Sequence, residues 1–169
     1  MRLAHAWLDT RTRVIALAIA GAAGCIAWAA LTADPGRLTW LYLVLVLGAV
    51  GANLFDARTD AQRVSMSGAV LAAILTIALF GPAWAFVLIA VAELVSWLVE
   101  RYGLESVPIN LVGGGGPMLI AGTTFEALAP ADESVAFYLA LTLAAALVLV
   151  LNLLIVAGLR APLDGASYP

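Results

Sequence analysis

Between Val14 and Ala33 the chain carries no charged side chain. The same is true of residues 38–55, 64–92, 106–125 and 135–159. Runs of about 20 apolar residues match the thickness of bilayer hydrocarbon. In lipid every backbone N–H and C=O needs a partner within the protein, and a bundle of helices provides one. The pattern therefore predicts an all-α integral membrane bundle of six transmembrane helices, over 13–33, 38–55, 64–80, 82–100, 107–126 and 135–159. The longest run divides at Phe80-Gly81-Pro82, a tight turn with Pro82 opening the next helix. The breaks "ADPGR" at 33–37 and "APADES" at 129–134 are ordinary turn chemistry. Composition agrees: 64% of the 169 residues are hydrophobic and 11% charged, against about 45–50% and about 25% in soluble domains.

The arginines give the expected orientation. With the N-terminus inside, the inner segments and their helix edges hold Arg2, Arg11, Arg13, Arg58, Arg63, Arg101 and Arg160, and only Arg37 falls outside. This is the positive-inside pattern, so both termini are expected in the cytoplasm of a multi-pass protein of a bacterial inner membrane. The chain then divides into an N-terminal segment 1–12, a transmembrane domain 13–160 and a cytoplasmic tail 161–169. "MRLAHAWLDTRTR" reads as an interfacial basic lead-in, with His5 and Trp7 at the headgroups. "AAGC" at 22–25 and "AWA" at 27–29 resemble cleavage sites. The apolar run continues past both, so the first helix is expected to stay.

Several functions are not expected. The net charge of −3 gives no case for nucleic acid, and Cys25 and His5 are each the only residue of their type. No cysteine cluster, histidine cluster, carboxylate dyad or nucleophile–base pair is present. Neither enzyme chemistry nor a cofactor or metal is expected.

Polar residues inside the membrane segments carry what remains. Glu93 stands eight residues before Arg101, and Asn152 eight before Arg160. At about 1.5 Å per residue both lie roughly 12 Å from the inner edge, where they can meet. Asn110 is shallower, and Asn53 shallower still. A lone carboxylate in hydrocarbon is costly. Glu93 is therefore expected inside the bundle, either protonated and bonded to a partner such as Asn152 or facing a wet cavity. Helical spacing puts Glu93, Ser96 and Glu100 on one face. It likewise groups Ser65, Ala69, Ala72 and Thr76; Asn110, Gly114, Pro117, Ala121 and Thr124; and Thr142, Ala145, Leu149 and Asn152. Small stripes let helices approach closely, and polar ones bond across the contact. The candidate polar site is thus Glu93, Asn110, Asn152 and Ser96. It either binds a ligand, ion or proton, or serves as a structural hydrogen-bonded core.

"NLVGGGGPM" at 110–118 weakens its helix. Pro117 has no N–H for the carbonyl of Gly113. Gly113, Gly114, Gly115, Gly116 and Pro117 form either a broken helix that presents backbone groups to a ligand or a close helix crossing. The crossing is adopted here, because glycine packing is common in membranes. The run is not a phosphate loop, since no Lys-Ser/Thr follows it and no strand precedes it.

Residues 54–128 also carry a resemblance. "VSMSGAVLAAILTIALFGPAWAFVLIAVAEL" followed by "ERYGLESVPIN" resembles the multi-helix N-terminal membrane sensor domains of bacterial signalling proteins, which carry an HD-GYP phosphodiesterase, a GGDEF cyclase or a kinase behind the membrane part. Gly81, Pro82, Arg101 and Asn110 match that pattern, and "LVLNLLIVAGLRAPLDGASYP" is similar to a later helix with Asn152 in a recurrent place. Glu93 and the four glycines have no counterpart in the pattern. The resemblance implies a sensory role and a cytoplasmic output, although no catalytic motif of an output domain occurs before Pro169. The expectation is an excised sensor portion or a free-standing relative.

The reading is a non-enzymatic membrane input module that responds to a ligand or to the state of the bilayer through the inner polar site. The alternative is a small-molecule carrier subunit, similar in size and topology to the substrate-capturing component of vitamin uptake systems. A structural membrane protein is the third reading. The expected partners are the lipid bilayer, a cytoplasmic output domain or protein and, through the small stripes, a second copy of the chain.

Overall fold

The structure, a computed structural model, describes residues 2–59, 68–130 and 134–164, with side chains for 10–55, 68–130 and 134–162. Every regular element among them is helical. They are α1 (Arg2–Thr32), a 3-10 turn (Pro35–Arg37), α2 (Trp40–Thr59), α3 (Gly68–Phe80), α4 (Pro82–Glu100), α5 (Ser106–Asn110), a π turn (Leu111–Gly115), α6 (Gly116–Leu128) and α7 (Val135–Asp164). Three stretches are long and apolar enough to cross a membrane: Thr10–Thr32, Pro82–Glu100 and Val135–Pro162. Shorter apolar helices cover Trp40–Phe55 and Gly68–Phe80.

The side-chain distribution is the reverse of a soluble protein's. Twelve of the twenty-two buried apolar side chains are alanine, whereas Leu17, Leu43, Leu47, Leu75, Leu98, Leu139 and Leu153 all lie exposed. Water would drive the leucines inward. Lipid has no such preference, so close packing of small residues decides what lies inside. This pattern and the three long apolar helices are those of a membrane protein.

α4 and α6 form the centre. α4 packs on α1, α2, α3 and α6, and α6 also packs on α7. One core joins Ala49, Ala69, Ala73, Ile77, Leu88, Met118 and Val148. A smaller one joins Ala29 of α1 to Ala83, Phe86 and Leu119.

Several boundaries differ from the sequence expectations. α1 begins at Arg2, so residues 2–12 are helical and continuous with the first apolar run; the side chains of Arg2, His5 and Trp7 lie outside the described ones. α7 runs to Asp164 with Pro162 inside it, and 165–169 lie outside the described residues. So do Arg63, Ser65, Asp132, Glu133 and the side chain of Arg58. On α7 the buried stripe is Ala140, Ala144 and Val148. Thr142 instead bonds the carbonyl of Tyr138 in its own helix. On α3, Ala73 is fully buried in place of Ala72, beside Ala69 and Thr76.

The two ends of the bundle differ. At one, Arg37 pairs with Glu126 (3.2 Å) and, more loosely, with Asp34 (3.7 Å). That pair covers the turn at Gly81, whose φ of 91° is a conformation favouring glycine. Pro82 is the first residue of α4. At the other end Arg11 of α1 pairs with Glu105, in the connection 101–105.

Candidate functional site

α4 ends at Arg101, which adopts the left-handed conformation (φ 56°, ψ 31°) while its N–H bonds the carbonyl of Trp97. Helices commonly stop this way, usually on glycine. The reversal folds Tyr102 back along α4, and the Trp97 indole N–H donates to the Tyr102 carbonyl (3.1 Å). The Tyr102 hydroxyl thereby reaches Glu93, nine residues earlier, and donates to Oε1 of its carboxylate. Burial first, then the bond and the charge of Glu93, push the Tyr102 phenol above its ordinary value. The neutral, donating form is the one held.

The same carboxylate oxygen accepts from Asn110 Nδ2 at 2.7 Å. Asn110 Oδ1 in turn accepts from the Arg160 guanidinium at 3.1 Å. These neighbours fix the orientation of the amide, since a guanidinium only donates and a carboxylate only accepts. The result is a hydrogen-bonded chain from the middle of α4, through the last residue of α5, to the end of α7.

Asn152 lies beside this chain on α7. Its Nδ2 donates to the carbonyl of Gly113 at 2.8 Å. That carbonyl is the one Pro117 cannot serve, because proline lacks an N–H. A side chain from α7 thus replaces the missing backbone donor. The expected Glu93–Asn152 bond does not form; Asn110 and Tyr102 serve Glu93, and Asn152 serves the π turn.

The glycine run forms a π turn that joins α5 to α6 without a gap. Asn110, Leu111, Gly115 and Gly116 all keep right-handed helical backbone. The glycines face different neighbours: a Cβ on Gly113 would lie 2.5 Å from Val156 Cγ2, and one on Gly115 2.7 Å from the Phe86 ring. Gly114 faces Ile89, and Gly116 faces Cys25. Gly113, Gly115, Gly116 and Pro117 are all buried.

Glu93, Asn110, Asn152, Asn53 and Gly114 line one partly open cavity of about 170 Å³, with Ala69, Val70, Ile89 and Val156 as its apolar wall. Ser96 is not in its wall. It is buried on α4, and its Oγ has no partner among the described residues. Glu100 is exposed at the end of α4. Tyr102 and the role of Arg160 were missed from sequence. Tyr102 lies beyond the end of α4, where helical spacing no longer relates it to Glu93. Arg160 served only to mark the membrane edge. Among the described residues no group of three His, Cys, Asp or Glu side chains is suited to a metal ion. Comparison of the chain with family models, with curated proteins and with solved structures finds no match.

Proposed function

We propose that the protein is a non-enzymatic input module of a bacterial inner membrane, with six spans and both termini in the cytoplasm. It converts occupancy of the inner cavity, or a change in the bilayer, into a shift of the end of α7. The observation that carries this reading is the Tyr102–Glu93–Asn110–Arg160 chain. It ties a carboxylate in the middle of α4 to the last turns of α7, so a change at Glu93 is felt where α7 leaves the membrane. Polar groups at such depth are costly and usually tied to function. The orientation is supported by the arginines with described side chains: Arg11, Arg13, Arg101 and Arg160 belong to the cavity end, and Arg37 to the other. The resemblance to sensor domains points the same way.

A carrier of vitamin-sized molecules needs a pocket of about 300–1,000 Å³. The polar cavity that holds Glu93, at about 170 Å³, is smaller than that. The pocket of about 620 Å³ between α1 and α5 is lined almost wholly by apolar side chains such as Ile15, Ile19, Ile26 and Leu111. On that ground the input module is preferred. The test is purification from the native membrane with an N-terminal tag, followed by intact mass and partner identification. A cytoplasmic signalling domain, attached or bound, is expected, with its activity changed by Glu93→Gln. An ATP-hydrolysing coupling subunit in its place would overturn the reading in favour of a carrier. An output indifferent to Glu93→Gln, Asn110→Ala and Asn152→Ala would leave these residues structural.

A further inference from the structure

We propose that the cavity between α2, α3, α4, the π turn and α7 binds a small monovalent cation through the Glu93 carboxylate and the Asn152 amide oxygen. The inference names the ligand class of the input module proposed above and rests on that reading.

Glu93 and Asn152 both line the cavity, and among the described residues their hydrogen bonds leave one side-chain oxygen of each without a donor. Glu93 Oε1 takes both donors, Tyr102 and Asn110. Among the described residues nothing donates to Oε2, and no base pairs directly with the carboxylate. Arg160 is engaged by Asn110 Oδ1 instead. The Asn152 amide is oriented by the Gly113 carbonyl, which requires a donor. That leaves Asn152 Oδ1 on the other limb of the amide as a further acceptor. A carboxylate oxygen and an amide oxygen are the ligands that hard cations take.

Size and charge narrow the class. The cavity holds about 170 Å³, room for roughly five waters at about 30 Å³ each. An ion with part of its hydration shell fits that space. A single carboxylate balances one positive charge, whereas divalent hard cations gather several. A cation beside Glu93 would also offset the cost of holding a carboxylate about 12 Å below the membrane edge.

The test uses the full chain in phosphatidylcholine nanodiscs. Thermal unfolding is followed in the chlorides of sodium, potassium, lithium and ammonium, with N-methyl-D-glucamine chloride as the bulky reference at constant ionic strength. At least one small cation is expected to raise Tm saturably, by ~5 °C at about 100 times its Kd. Glu93→Gln is expected to abolish the rise, and Glu100→Gln, at the exposed end of the same helix, to retain it. Val70→Met narrows the cavity while leaving its polar residues unchanged and is expected to weaken the response, which keeps the test decisive should Glu93→Gln fail to fold. Equal Tm in every salt for the unmodified chain would overturn the proposal, as would a full response in Glu93→Gln. No signalling readout enters the assay, so failure of the site and failure of the input module are read separately.

Discussion

At the residue scale, two contacts define the inner site, and each can be tested alone. Asn152 stands in for the N–H that Pro117 lacks. Asn152→Ala leaves the Gly113 carbonyl without that donor and is expected to cost about 1 kcal/mol, the usual size of an interhelical hydrogen bond in a membrane. Pro117→Ala restores a backbone N–H, so the loss should shrink in the double variant. A double-mutant cycle from unfolding in mixed micelles measures this. Strictly additive losses would show that the two residues do not share the carbonyl. The second contact is Tyr102. Its phenol is held above the ordinary tyrosine value of 10.0 in the folded protein. Above that pH the unfolded chain binds fewer protons than the folded one. The stability contributed by the phenol is therefore complete below pH 10 and is lost as pH rises beyond it. Tyr102→Phe should be less stable at neutral pH and lose less between pH 9 and 11. Parallel unfolding curves for the two proteins across that range would refute the assignment.

At the element scale, glycine governs how closely the helices cross. A Cβ at Gly122 would lie 2.6 Å from Pro82 Cβ and 2.9 Å from its Cα, and the latter is backbone that cannot swing aside. Gly48 has nothing within 4 Å. Gly122→Ala should therefore cost about 1–3 kcal/mol, the usual range for overpacking, and Gly48→Ala should be neutral or slightly stabilising. Unfolding in the same micelles decides, and equal effects would contradict the α4–α6 contact. The π turn acts at this scale too. Its wider i→i+5 spacing interrupts the 3.6-residue period, so a stripe counted evenly from Asn110 to Thr124 does not describe the faces of this segment. It also lies where Pro117 removes a donor, and α7 makes up that loss.

At the scale of the whole molecule, the arrangement of the arginines predicts which end faces the cytoplasm. In a Cys25→Ser background, single cysteines at Leu38 and Leu104 report on opposite ends. A membrane-impermeant maleimide added to intact spheroplasts should label Leu38→Cys at once and Leu104→Cys only after permeabilisation. The reverse order would invert the topology and move the Glu93 cavity to the outer side. α4, packed on α1, α2, α3 and α6, is the central element of the bundle whichever end faces the cytoplasm.

The all-helical character and the membrane-type composition follow from the sequence alone, because charge-free runs and backbone satisfaction in lipid leave few alternatives. The positions of Glu93 and Asn152 along their helices could be counted too, since helical rise converts residue number into distance along one axis. The partner of each polar group could not be counted. Partners depend on how each helix is rotated and where it crosses its neighbours, and neither is a property of one segment. The left-handed Arg101 carries Tyr102 back to Glu93, across a chain reversal where helical spacing ends. The π turn and Pro117 open the Gly113 carbonyl, and only the approach of α7 decides that Asn152 fills it. Arg160 meets Asn110 because the last turns of α7 pass the end of α5. The tertiary structure decided these contacts, because a hydrogen bond needs two groups within about 3 Å and packing alone brings distant segments that close.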